Sequence, residues 1–193
     1  MRDINILSLD LEMNQPSQKI IQTGYCIGNL QSGEIHIKQS IIINPHETLD
    51  PFIISLTGIK QKDVDQGSNL FTAYSIMSMD FERYECFRNP LTWGGGDSEL
   101  LRHELGIDNE KFLFGRRWLD VKTVFISRCF RKDEKHQSGL ARALTRVGLK
   151  FEGKKHNAMD DAVNTFRIYR HLLLEVQPQP TLKEMFGGCM GDE

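Results

Sequence analysis

No apolar run in this chain of 193 residues approaches the roughly 20 needed to cross a bilayer as a helix, so no membrane partner is expected. Cysteine is scarce. The four, Cys26, Cys86, Cys129 and Cys189, are far apart and form no CxxC pair. That excludes a disulfide-stapled scaffold, and a zinc site would need four distant residues to converge. A reducing, cytoplasmic setting is the expectation. The first residues place acids at Asp3 and Asp10 and lack the apolar core and cleavage site of a signal peptide, which leads to the same expectation. Internal repeats, low-complexity blocks and long linkers are also missing. One domain over residues 1–177 is expected, followed by a tail at 178–193 that begins with Pro178 and Pro180.

What is present suits a soluble globular domain with a full core: hydrophobic residues are 39% and charged residues 26% of the chain. The net charge of −2 is unevenly spread. Residues 111–155 hold thirteen lysines and arginines against four acids, so the remainder is strongly acidic. A basic third in an acidic chain suggests a polyanionic partner; a solvated basic face is the alternative. No aromatic-interleaved basic repeat is visible.

Three strands open the chain, over 4–11, 20–29 and 34–43, with a hairpin turn at Leu30-Gln31-Ser32-Gly33 and a stop at Asn44-Pro45. Two short helical pieces over 49–64 are separated by Gly58. Helical spacing over 69–83 points to Phe71, Tyr74, Ile76, Met77 and Phe81 as its apolar residues. Short strands are expected at 91–93 and 118–121, and helices from near Asp97, over 139–147 and over 160–176. The last has a stripe of Ala162, Phe166, Tyr169, Leu173 and Val176. Strands first, then alternating helices and strands, indicate an α/β domain with a mixed sheet.

Two carboxylates one residue apart, Asp10 and Glu12, stand inside the apolar run INILSLDLEM. On a strand they share a face about 6–7 Å apart. Two adjacent acids repel and resist burial, and a divalent cation removes both problems; a solvated strand end is the alternative. Asp97 follows Trp93-Gly94-Gly95-Gly96 at the start of a helix, where it is either a ligand beside a flexible backbone or a simple cap. His156 lies in a loop after Gly153-Lys154-Lys155, five residues before Asp161 in the first turn of the last helix.

Leu9-Asp10-Leu11-Glu12-Met13, Trp93-Gly94-Gly95-Gly96-Asp97 and His156-x-Ala158-x-x-Asp161-Ala162, in this order and spacing, resemble the three motifs of the DEDDh 3′–5′ exonucleases. That superfamily includes ribonuclease T and the proofreading subunit of bacterial DNA polymerase III. Asn44-Pro45, Leu56-Thr57-Gly58-Ile59-Lys60-Gln61, and the run from Gly139-Leu140 through Phe151-Glu152-Gly153 to Asp160-Asp161 and Asn164 are most similar to ERI-type exoribonucleases. The similarity runs from about residue 4 to 175. Many relatives carry Thr or Ser one or two residues after the glutamate, where this chain has Met13 and Asn14.

The resemblance implies a ribonuclease H-like mixed sheet flanked by helices. It also implies 3′–5′ hydrolysis of single-stranded RNA or DNA by a two-metal-ion mechanism with Mg²⁺ or Mn²⁺. Asp10 would bridge both ions, Glu12 and Asp161 would bind the ion near the nucleophile, and Asp97 would act on the leaving-group ion. His156 would be the general base. Met13, Asn14, Thr57, Gly58 and Ile59 are the expected pocket for the terminal nucleotide, with Ile59 against a base; an ordinary helix start with a core isoleucine is the alternative. Lys154 and Lys155 would attract the substrate backbone. Two other readings stay open: a catalytically silent nucleic-acid-binding module of the same fold, and a ribonuclease H-like endonuclease. Gln179, Leu182, Met185 and Phe186 are spaced loosely like a sliding-clamp peptide, a flexible terminus being the alternative.

Overall fold

The computed structural model describes residues 3–115, 117–130 and 139–174. Val176, Cys189, the two prolines and the clamp-like spacing of the tail lie outside them, as does part of the basic segment. Among the described residues the first strand is β1 (Asn5–Met13), followed by β2 (Ile20–Asn29) and β3 (Ile35–Ile42). Two short helices come next, α1 (Pro51–Thr57) and α2 (Gln61–Asp65), then α3 (Leu70–Arg83) and β4 (Leu91–Thr92). The order continues with α4 (Asp97–Leu105), β5 (Leu119–Asp120), α5 (Val121–Cys129), α6 (Leu140–Arg146) and α7 (Ala158–Leu174). The sheet runs β3-β2-β1-β4-β5, with β1, β2 and β3 antiparallel and β1, β4 and β5 parallel. This is the mixed sheet flanked by helices that the sequence indicates. None of the described helices is long and apolar enough to cross a membrane.

β1 is central, and its alternation organises both faces. Leu7, Leu9 and Leu11 enter one core with α3, α4, Phe112 and Phe114. Ile6 enters the other, with α5, α6 and α7. Along that second face Ser8, Asp10 and Glu12 follow Ile6, and the Ser8 hydroxyl donates to Ala162 O at 2.8 Å. The strand face therefore turns from apolar to acidic as it approaches the N-terminus of α7.

Glycine in β2 lets α7 lie this close. A Cβ at Gly24 would collide with the Ala158-Met159 backbone, and one at Gly28 would press into the Phe166 ring. Gln22, two residues before Gly24 on the same face, accepts from Ala158 N at 3.1 Å and fixes where α7 begins. The helix thus starts at Ala158 rather than at residue 160.

Two helical faces differ from the spacing-based reading. α3 buries Leu70, Ala73, Met77 and Phe81, with Tyr74 packed beside them. Phe71 and Ile76 are 58% and 38% exposed, because this helix carries apolar side chains around most of its circumference and the neighbouring sheet selects the inner ones. α7 buries a wider arc than one stripe: Val163, Asn164, Thr165, Ile168 and Leu172 are buried with Ala162 and Phe166. It lies across β1 and β2 while α5 and α6 pack against it. α5 has no counterpart in the spacing-based reading; Asp120 caps it, accepting from Thr123 N at 3.1 Å.

Candidate active site

The parallel strands end on one edge of the molecule, and the acids gather there. Asp10 and Glu12 stand at the carboxyl end of β1, Asp97 opens α4 after β4, and Asp161 sits in the first turn of α7. The carboxyl ends of parallel strands are where α/β sheets form ligand sites. Glu12, His156 and Asp161 each bring a ligand atom within 4.8 Å of the other two. Asp10, Glu12, His156 and Asp161 line a cleft of about 730 Å³. Asp97 borders an adjoining cavity of about 210 Å³ with Asp120, and its charge still reaches Asp10.

The electrostatics show how strongly these acids interact. Burial, then the charges of Asp97, Asp161 and Glu12, push the Asp10 carboxyl well above the usual carboxylate range. Burial, then Asp161 and Asp97, bring Glu12 up to about 7. Burial, then Glu99 and Asp120, raise Asp97 to about 7. Burial raises Asp161 to about 6, although the His156 amide bonded to it pulls the other way. Four half-buried acids, each raised first by desolvation and then by nearby carboxylates, form a site short of positive charge. Hard carboxylate oxygens with one imidazole suit Mg²⁺ or Mn²⁺, so the donor set fits the divalent cations that the sequence implies.

His156 is exposed with φ 59°, and its backbone N–H donates to Asp161 Oδ2 at 3.0 Å. The tight link between loop and helix places the imidazole beside Glu12 and Asp161. Gly94 N donates to Asp120 Oδ1 at 3.1 Å, which ties the glycine loop before Asp97 to the end of β5.

The expected nucleotide pocket is different in detail. Asn14 is only 1% exposed, and its amide is consumed: Nδ2 donates to Glu47 Oε1 (2.7 Å) and Thr48 O (3.0 Å), while Oδ1 accepts from Asp50 N (2.8 Å). It holds the segment leading into α1 and offers nothing to a ligand. The Thr57 hydroxyl donates to Ile53 O and accepts from Ile59 N. Ile59 is 7% exposed and packs with Ile21, Leu49, Ile53 and Val64 in a small core cluster. Met13 is half-buried; Gly58 is exposed, with φ 79° as the cap of α1. Lys154 directs one of its ammonium donors to Thr57 O at 2.6 Å.

Sequence reasoning named Lys155 but missed Lys122 and Arg142 in the cleft wall, and Gln22 and Asp120 among its supports. Lys122 and Arg142 line the cleft with Lys155, and none of the three makes a side-chain hydrogen bond or ion pair with the described residues. Trp93 and Phe151 line it as well. Gln22, Asp120 and Asp160 act as supports. A composition count located the basic third of the chain, but only packing shows which cations face the acids.

No protein-family model matches the chain. Among curated proteins, mouse ERI1 exoribonuclease 2 (Mus musculus) is 29% identical over 173 residues, which cover 77% of this chain and 24% of that protein. The 3′–5′ exonuclease Snipper of Drosophila melanogaster is 30% identical over 168 residues, covering 76% of this chain and 58% of Snipper. The chain therefore spans about a quarter of the first relative's length and little over half of the second's. Among solved structures, the nuclease domain of 3′hExo, a DEDDh family member bound to rAMP, superposes with a TM-score of 0.77 at 21% identity, over 90% of this chain and 94% of that one. The Mg²⁺- and Mn²⁺-bound form of Schizosaccharomyces pombe Pop2p has a TM-score of 0.66 at 18% identity, covering 89% of this chain and 83% of Pop2p. These chains share the fold found here.

Proposed function

We propose, from the premise that this chain is a homologue of the ERI-type 3′–5′ exonucleases and has the DEDDh nuclease fold, that it hydrolyses single-stranded nucleic acid from the 3′ end with two divalent metal ions. The observation that carries this reading is the convergence of Asp10, Glu12, Asp97 and Asp161 at one edge of the sheet, with His156 beside two of them. A folded protein does not keep four mutually repelling, half-buried acids for stability. When bound, the ions offset that repulsion, polarise the phosphate and stabilise the attacking and leaving oxygens.

The chain's own groups divide the remaining work. Asp10, Glu12 and Asp161 would hold the ions, with Asp97 closing the site from the β4 side. His156 takes a proton from the attacking water. Lys122, Arg142 and Lys155 line the same cleft as the acids and meet the phosphates of the strand entering it. Trp93, packed on Phe125 at 5.9 Å, and Phe151 offer apolar faces for bases. A silent binding module would not need His156 and all four acids together.

Matched RNA and DNA oligomers, labelled at either end, test the proposal with Mn²⁺ and with chelator. Products should shorten from the 3′ end, only with metal, and a 3′-phosphate should slow them strongly. RNA should be degraded at least as well as DNA. Equal cleavage of circular and linear single strands would identify an endonuclease instead, and binding without hydrolysis a silent module.

The basic wall makes a separate prediction. Replacing Lys122, Arg142 or Lys155 by Gln should lower kcat/KM and reduce its dependence on log salt by roughly 0.7 for each phosphate no longer neutralised. A salt slope equal to wild type in all three variants would remove this wall from the substrate path.

A further inference from the structure

The loop that carries His156 is held on two sides, and only one hold is accounted for by the acids of the site. Residues 150–156 have no regular secondary structure, yet each even-numbered one is gripped by a side chain of α7. Arg167 Nη1 donates to Lys150 O at 2.8 Å. Asn164, fully buried, pairs with Glu152 in both directions, accepting its N–H (3.1 Å) and donating to its carbonyl (2.8 Å). Asp160 Oδ2 accepts from Lys154 N at 2.8 Å, and Asp161 Oδ2 accepts from His156 N at 3.0 Å. This strip fixes the loop to α7.

The second hold reaches across the molecule. With its backbone clamped, Lys154 extends its side chain to α1, where Nζ donates to Thr57 O at 2.6 Å. That carbonyl belongs to the last turn of the helix, where acceptors lack an intrahelical donor and a cation is favoured. Gly58, the next residue, leaves room for the ammonium; a Cβ there would collide with Nζ. The two elements joined belong to different apolar clusters. α1 contributes Ile53 to the cluster of Ile21, Leu49, Ile59 and Val64, whereas α7 packs with α5 and α6.

Building on the exonuclease reading, we propose that Lys154 is a positioning residue whose ammonium straps the His156 loop to the C-terminal end of α1, so that the loop carrying the general base is fixed against a second element besides α7. No shared core does this for the pair. A misplacement of about 1 Å between reacting groups costs on the order of 10²-fold in rate, so one well-placed charged donor has leverage here.

The test compares Lys154→Met and Lys154→Arg with wild type in two measurements. Amide exchange in the metal-free protein reads the strap itself. In Lys154→Met the amides of Gly58, Ile59 and His156 should exchange faster together, and in Lys154→Arg they should return towards wild type, because a guanidinium still donates to a carbonyl. With a 3′-labelled oligomer and saturating metal, Lys154→Met should lose roughly tenfold or more in kcat. The salt slope should stay at the wild-type value. Unchanged exchange together with unchanged kcat would overturn the strap, as would a normal kcat with raised KM and a reduced salt slope, which would make Lys154 a phosphate contact. A wild-type protein inactive on every 3′-ended oligomer would refute the exonuclease reading, while the exchange measurement would still decide the strap.

Discussion

Asp10→Asn should abolish turnover and at the same time raise the melting temperature of the metal-free protein at pH 8. Both effects come from one cause. Asp10 is raised first by burial and then by three neighbouring carboxylates, and Glu12, Asp97 and Asp161 are raised to about 7, 7 and 6. In the unfolded chain these groups lose their protons near their ordinary values of about 4. The folded chain keeps those of Glu12, Asp97 and Asp161 until pH 6–7, and Asp10 is shifted in the same direction. Folding therefore takes up protons in that window. For Glu12, Asp97 and Asp161 the contribution to stability is fully present below about pH 4, falls as pH rises to about 7, and stays lost above it. A tenfold gain in proton affinity on folding corresponds to about 1.4 kcal/mol, so the combined effect is of order a few kcal/mol in the metal-free state.

Melting curves of wild type and Asp10→Asn at pH 5.5 and pH 8, with chelator and with Mn²⁺, check this. Chelated wild type should melt several degrees lower at pH 8 than at pH 5.5. Mn²⁺ should recover most of that loss, because binding only to the folded state stabilises it. Asp10→Asn should be less sensitive to both pH and metal. A chelated wild type that is more stable at pH 8, or an Asp10→Asn variant with normal turnover, would contradict the shared-charge account of the site.

His156→Ala should cost roughly 10²–10⁴-fold in kcat, the range for loss of a positioned general base, while metal-induced stabilisation and oligomer affinity remain. The residue's φ of 59° supplies a control. Asparagine tolerates this left-handed backbone better than alanine does. His156→Asn should therefore preserve the loop and still lose the rate. Equal losses in both variants assign the effect to the imidazole; near-normal turnover in His156→Asn would assign it to the backbone conformation. Saturating metal and substrate separate this from a binding defect.

The chemistry of the site is legible in the chain because it depends on local rules. Alternation along one strand puts Asp10 and Glu12 on a common face whatever else the protein does. A glycine run before Asp97 and a five-residue step from His156 to Asp161 are likewise local. The strand order of the first half, the break at Gly58 and the mixed sheet also follow from neighbouring residues.

What the chain could not show was which polar groups are already spent. Asn14 is surrounded in sequence by residues of a strand end, and its partners lie 33–36 positions away. Ile59 packs with Ile21, Leu49, Ile53 and Val64 in a small core cluster. For Lys154, the acceptor lies in α1, 97 residues earlier. α3 has apolar residues on several sides, and only the position of the sheet selects Met77 over Ile76. The sequence by itself determined which atoms this site can use, because side-chain type and strand alternation need no distant partner. Tertiary structure alone decided which of them are free to act, through the packing of α7 over Gly24 and Gly28 that brings Asp161 and His156 to the end of β1.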